Sequence, residues 1–341
     1  VRYFIEIAQQ CQCSLAPSLP HTRTSWLLSP QIPINLEHRR GGALKMNDNL
    51  IQARITRLAD DFRWPGGKRL AVIFNIAYEA WSDGQAPGIG PMGNVLKPGY
   101  FDTNAHSWAS FGLVRGIHRL LGIADKHGVK TSVMVNGVIC ERDPATVRRI
   151  AETGHEIINH SWGMDVIPVY FDEAAERENI GRNHKLLEKT SGVAPVGWIS
   201  PRGTGSANSS RLLAQAGYLH HGDVNDDDRP YVMDFNGERI VAIPLTMEIN
   251  DLPTCIRYGH GPRHMLETFD DAFAAMRDRE NAPLTLDVTG HTHVLGRPTL
   301  AWVYDEIMAR VLNAGDVWVC TREAMARHVL GSIGTSQEQS Q

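Results

Sequence analysis

From Leu70 onward, short apolar runs alternate with longer amphipathic stretches, and many of those stretches end at a glycine. Leu70–Asn75 is a β-branched run just after Pro65-Gly66-Gly67, as expected of a buried strand. Leu113–Lys126 sets Val114, Ile117, Leu121 and Ala124 on one helical face before Gly128. Thr131–Val135 and Glu156–Asn159 read as strands on either side of a helix opened by Asp143-Pro144 and stopped near Gly154. Asp172–Lys189, Asn208–Ala216, Arg263–Arg279 and Pro298–Asn313 read as further helices. Gly197–Ser200, Tyr218–Gly222, Ile240–Ile243, Leu284–Thr289 and Val317–Cys320 read as further strands. Such alternation predicts a parallel sheet covered by helices. With no composition shift or linker dividing it, an α/β barrel of about seven or eight strands fits better than two small domains. No glycine-rich phosphate loop follows a strand, which argues against a nucleotide-binding version.

The 341 residues carry 34 Lys+Arg against 38 Asp+Glu, a formal charge of −4. That balance argues against a nucleic-acid or anionic-membrane partner. No run approaches the ~18 apolar residues that span a bilayer. Five cysteines at unpatterned spacings fit unpaired thiols in a reducing, cytoplasmic compartment. Residues 1–45 show no sustained period and are expected to be a disordered or mis-annotated leader, with a native start near Met46. Residues 46–63 read as a helical arm on the strength of Asn49–Phe62, 64–331 as one catalytic barrel and 332–341 as a disordered tail.

In a barrel of this kind the reactive groups stand at the C-terminal ends of the strands. Those ends supply Glu79, His160, Arg202, Asp223, Asn250-Asp251, His291 and His293. A carboxylate, histidines, an arginine and amides on one rim are the parts for hydrolysing an amide-like bond. The carboxylate takes a proton from water, a histidine returns one to the leaving nitrogen, and donors stabilise the oxyanion.

The stretch Gly154-His155-Glu156-Ile157-Ile158-Asn159-His160-Ser161 resembles the second motif of the polysaccharide deacetylases. Further stretches resemble a branch of that family containing a metal-independent allantoinase. They are Tyr78-Glu79, Asp223 to Asp227 with Pro230-Tyr231, Pro244 to Asn250-Asp251, Gly296-Arg297-Pro298, and Val317-Trp318 with Arg322 and Ala326-Arg327-His328. The resemblance covers about residues 64–330 and implies a distorted barrel of about seven β/α units. Metal-dependent members end their first motif in Asp-Asp and carry two histidines four apart in the second. Here those positions hold Glu79-Ala80 and His160…Met164. Neither a methyl group nor a thioether is a good Zn²⁺ ligand. The favoured reading therefore has no cofactor. A site for zinc or another divalent metal rebuilt from Glu79, His160 and Asp165 is the alternative.

In the metal-free reading Glu79 is the general base, its pKa raised toward working pH by burial. His160 orients water or polarises the carbonyl, and His291 is the general acid. Arg202 holds a carbonyl or carboxylate, while Asp223, Asn250, Asp251 and Trp162 contact substrate. His155, Trp318 and the pairs His220-His221 and His260/His264 read as structural. The expected substrate is a small amide, cyclic amide, ureide or imide. The Gly- and Pro-rich insertion Ser82–Asn104 is expected to be a lid or a subunit contact, and the branch implies a homo-oligomer. Two other functions stay open: a metal-dependent N-deacetylase of an acetylated sugar or polysaccharide, and a non-catalytic ligand-binding relative.

Overall fold

The computed structural model describes residues 53–93 and 95–338. What the sequence suggested for residues 1–45, and for the first part of the arm, lies outside the described residues. The described strands are β1 (Arg54–Arg57), β2 (Leu70–Tyr78), β3 (Ser132–Val135), β4 (Glu156–Asn159), β5 (Gly197–Trp198), β6 (His220–His221), β7 (Tyr231–Phe235), β8 (Glu238–Ala242), β9 (Leu284–His291) and β10 (Val317–Cys320). Eight of them run parallel: seven in the order β9-β2-β3-β4-β5-β6-β8, and β10 beside the start of β2. All nine residues of β2 are buried, as befits a strand with neighbours on both edges. Its first half pairs with β10 and its second half with β3, while β9 runs along the other edge.

The ladder does not close between β8 and β9. The chain after β8 fills that seam: Asn250 makes an isolated parallel bridge to Thr289, and the Asp287 N–H donates to the Thr246 hydroxyl at 3.1 Å. The result is a distorted (β/α) barrel of seven parallel strands, open along one seam. An antiparallel hairpin, β7–β8, extends it, and β1 adds to the outer edge of β7. Asn236-Gly237 joins the hairpin with both residues at positive φ, 59° and 102°, the geometry such short turns require.

Three expectations need correction. Residues 54–57 of the arm form strand β1 rather than helix, because the backbone pairs with β7. The tail expected beyond 331 continues the helix Arg322–Glu338. Val114 is 62% exposed rather than on the buried face with Ile117, Leu121 and Ala124. The cause is a wider, π-helical turn over Gly112–Gly116, which adds a residue and rotates the face. That turn lies against the chain after β9. A Cβ on Gly116 would stand 1.8 Å from the Thr292 carbonyl oxygen, so only glycine permits the approach.

The barrel interior carries polar as well as apolar groups. Arg322, fully buried, pairs with Asp287 and donates to Asn75 and the Ile243 carbonyl. Glu156 pairs with His220 at 2.6 Å and accepts from Ser132 and the Glu323 N–H. His220 is therefore structural, as its sequence context suggested.

Candidate active site

Glu79 follows β2 directly, His160 follows β4, and His291 ends β9. Hydrogen bonds between neighbouring strand ends fix the first two. The Ala80 N–H donates to Asn136 Oδ1 at 3.0 Å, and the Met164 N–H to the Ala80 carbonyl at 2.9 Å. The His160 N–H donates to the Val135 carbonyl at 3.1 Å. Ser161, at φ 61°, makes the left-handed bend by which the chain leaves β4. Its carbonyl accepts from the Gly137 N–H at 2.8 Å.

Glu79 is buried, 3% exposed, with three imidazoles around its carboxylate. His160 Nε2 lies 3.5 Å and His291 Nε2 3.4 Å from Oε1, and His293 Nδ1 lies 4.0 Å from Oε2. Behind His291, Asp251 accepts from Nδ1 at 2.6 Å, from the His291 N–H at 3.0 Å and from the Leu295 N–H at 2.8 Å. Glu79, His291 and Asp251 thus form a line of carboxylate, imidazole and carboxylate.

The charges follow from this line. Burial lowers the pKa of His291, but the two carboxylates outweigh it and hold the group up at about 10. Burial raises Glu79, but the positive charge on His291 leads the effects that outweigh it, leaving the carboxyl well below its ordinary value. The expectation of a raised Glu79 therefore fails, because desolvation is met by a neighbouring cation. Burial pushes His293 down to about 4, so it stays neutral. Its ring sits edge-on to Trp81 and Trp108, at centroid distances of 5.8 and 4.8 Å.

His160 Nδ1 lies 2.5 Å from the Ile199 carbonyl, which accepts and so assigns the proton to Nδ1. In the neutral ring Nε2 then offers a lone pair toward Glu79. His160 Nε2 and His293 Nδ1 are buried with no hydrogen-bond partner, as is Thr292 Oγ1 between His291 and His293. Buried polar atoms are rarely left so.

These groups open on a cavity of about 320 Å³ lined by Glu79, His160, Arg202, Asn225, Asn250, Arg257, Tyr258 and His291, with apolar walls from Met134, Met164, Ile199 and Leu245. That is the small end of the range for ligand pockets. Glu79, His160, His291, Arg202 and Asn250 therefore share one site. Asp223 and Asp251 do not line it. Both Asp223 oxygens accept from Ser200, from N at 2.7 Å and from Oγ at 2.6 Å, so this carboxylate secures the loop carrying Arg202. Asp251 is spent on His291. Trp162 also stands outside the lining; the Arg182 guanidinium stacks on its ring at 4.2 Å. None of the described residues of 82–104 lines this cavity. The insertion instead encloses a hollow of its own, of about 490 Å³. Arg257 escaped the sequence reading because it lies on a π-helical turn, Leu252–Arg257, rather than at a strand end.

The positions that the resemblance assigns to metal ligands hold other groups. Position 80 offers a methyl group and position 164 a thioether, while Asp165 Oδ1 accepts from the Ser82 N–H at 2.8 Å. Among the described residues no three His, Cys, Asp or Glu side chains are arranged to hold one.

Comparison with known proteins agrees with the resemblance read from the motifs. Residues 101–220 match the family model described as "Polysaccharide deacetylase". A Schizosaccharomyces pombe protein named "Putative polysaccharide deacetylase" is 26% identical over 301 residues, 77% of this chain and 91% of its own length. A peptidoglycan deacetylase of Helicobacter pylori is 21% identical over 245 residues, 61% of this chain and 82% of its own. Among solved structures, Puue allantoinase superposes with a TM-score of 0.70 at 26% identity, covering 78% of this chain and 91% of that one. A "putative polysaccharide deacetylase" from Mycobacterium smegmatis gives 0.70 at 29% identity, covering 82% and 96%.

Proposed function

We propose that this chain hydrolyses a non-peptide C–N bond in a small amide, cyclic amide, ureide or imide, using Glu79, His160 and His291 without a metal. The observation that carries the reading is the Glu79–His291–Asp251 line at the foot of a small cavity. It holds a base and an acid side by side in complementary charge states.

The Glu79 carboxylate and the His160 Nε2 lone pair are both acceptors, facing each other across 3.5 Å. A water that donates one proton to each turns its oxygen lone pairs outward, toward a bound carbonyl. As that oxygen attacks the carbonyl carbon, Glu79 takes its proton. Protonated His291 faces the same place and stabilises the developing oxyanion. Once Glu79 is neutral, His291 loses one of the two charges that hold its proton, so its acidity rises when a donor is needed. Its Nε2 proton passes to the leaving nitrogen as the C–N bond breaks. Proton transfer from Glu79 to His291 then restores the starting state.

The reading predicts a broad pH optimum. Activity needs ionised Glu79 and protonated His291, so it is retained from mildly acidic pH and lost as pH rises through about 10. The test is a hydrolysis screen over hydantoins, allantoin, cyclic imides and N-acetyl sugars with the wild type, Glu79→Gln and His160→Ala. Loss of about 10²–10⁴ in rate for Glu79→Gln is the magnitude of a positioned general base. Wild-type turnover in both variants, or turnover of N-acetyl sugars alone, refutes the proposal. A homo-oligomeric state is part of the same reading and rests on the allantoinase likeness, and a cytoplasmic location rests on the unpatterned cysteines.

A further inference from the structure

We propose that the substrate is an anion, and that Arg202 and Arg257 bind its carboxylate at the mouth of the cavity. This rests on the catalytic reading above and adds the charge of what the site accepts.

The cavity has four charged side chains in its lining: Glu79, His291, Arg202 and Arg257. Glu79 and protonated His291 offset each other, which leaves two guanidiniums in excess. Among the described residues neither guanidinium makes a hydrogen bond or ion pair. Two unpaired guanidiniums at one cavity, supplied by separate segments, make a forked donor set suited to a carboxylate.

The backbone adds an independent argument. Arg202 sits at φ 63°, ψ 13°, in the left-handed region. A glycine would adopt this without strain, and the next residue, Gly203 at φ 61°, is one. A long cationic side chain kept in a conformation that costs roughly 1 kcal/mol is a side chain the position requires. Its loop is held down by Asp223 and by the Gly203 N–H donating to the Ser200 carbonyl at 2.8 Å. The guanidinium is thus presented on a fixed base.

The test separates binding from turnover. Affinities of hydantoin-5-acetate and the uncharged hydantoin-5-acetamide are measured by calorimetry on Glu79→Gln, which cannot turn them over, and on Glu79→Gln/Arg257→Gln. Arg257 lies outside the catalytic line, and thermal unfolding of each protein verifies that it is folded. The carboxylate should bind about tenfold to a hundredfold more tightly than the amide, the range for hydrogen bonds to a charged group. The preference should fall to within about twofold in the Arg257 variant and shrink as salt rises. Equal affinities, no binding of either compound, or a preference that survives Arg257→Gln overturns the inference. Carboxylate preference in a wild type that hydrolyses nothing in the screen refutes the catalytic reading alone. Hydrolysis without such preference refutes this inference alone.

Discussion

Asp251→Asn tests the electrostatics of the site more directly than removal of a catalytic group. The buried carboxylate accepts from His291 Nδ1 and from two backbone N–H groups, and it is one of two negative charges that hold the proton on His291. Holding a buried imidazolium at a pKa of about 10 instead of 6.5 corresponds to on the order of 5 kcal/mol in favour of the charged form. If Asp251 supplies somewhat under half of that, its loss lowers the pKa by roughly 1.5 units, about 2 kcal/mol. The assay is kcat/KM against pH. His291 acts protonated, so the alkaline limb of the wild type should fall near 10 and that of the variant near 8 to 9. At pH 9 the variant should lose about fourfold relative to its own value at pH 6, and at pH 10 about thirtyfold. The asparagine also presents N–H groups to backbone donors, so a stability loss of about 1–3 kcal/mol should accompany the shift. An alkaline limb that stays in place with unchanged kcat/KM would show that Asp251 does not set the charge on His291.

The same ionisations bear on folding. The raised pKa of His291 contributes stability that is full below about 6.5 and is lost as pH rises through about 10, so denaturant midpoints of the wild type should decline over that window. Dialysis against EDTA should leave activity intact; loss with recovery on adding Zn²⁺ would overturn the metal-free reading. Arg322→Leu leaves Asp287 buried and unpaired, and urea unfolding should record a loss of about 3–5 kcal/mol. A loss under 1 kcal/mol would mean that Asn75 and Thr289 suffice to satisfy that carboxylate.

Local sequence patterns made much of the barrel legible. The runs Leu70–Phe74 of β2 and Val317–Cys320 of β10 are continuous and apolar, and Gly128 and Gly192 end their helices in the left-handed conformation. The strands that escaped notice, β1 and β7, sit outside the parallel ring, where only antiparallel pairing decides the backbone state. Val114 was misplaced because a π-helical turn has no signature in a 3.6-residue period.

The site divides in the same way. The sequence by itself determined which chemical groups stand at the strand ends: Glu79, His160, Arg202, Asn250 and His291, with Ala80 and Met164 where metal ligands would be. Residue type and position after a strand are local properties, and a parallel barrel carries them to one rim. What each group does there was decided by tertiary contacts. Asp223 and Asp251 carry the same carboxylate, yet one binds Ser200 and the other His291, through partners 23 and 40 residues away. Whether Glu79 is a raised or a lowered acid depended on a cation 3.4 Å off that no sequence separation records. Charge state is a property of the neighbourhood, and only the folded chain supplies it.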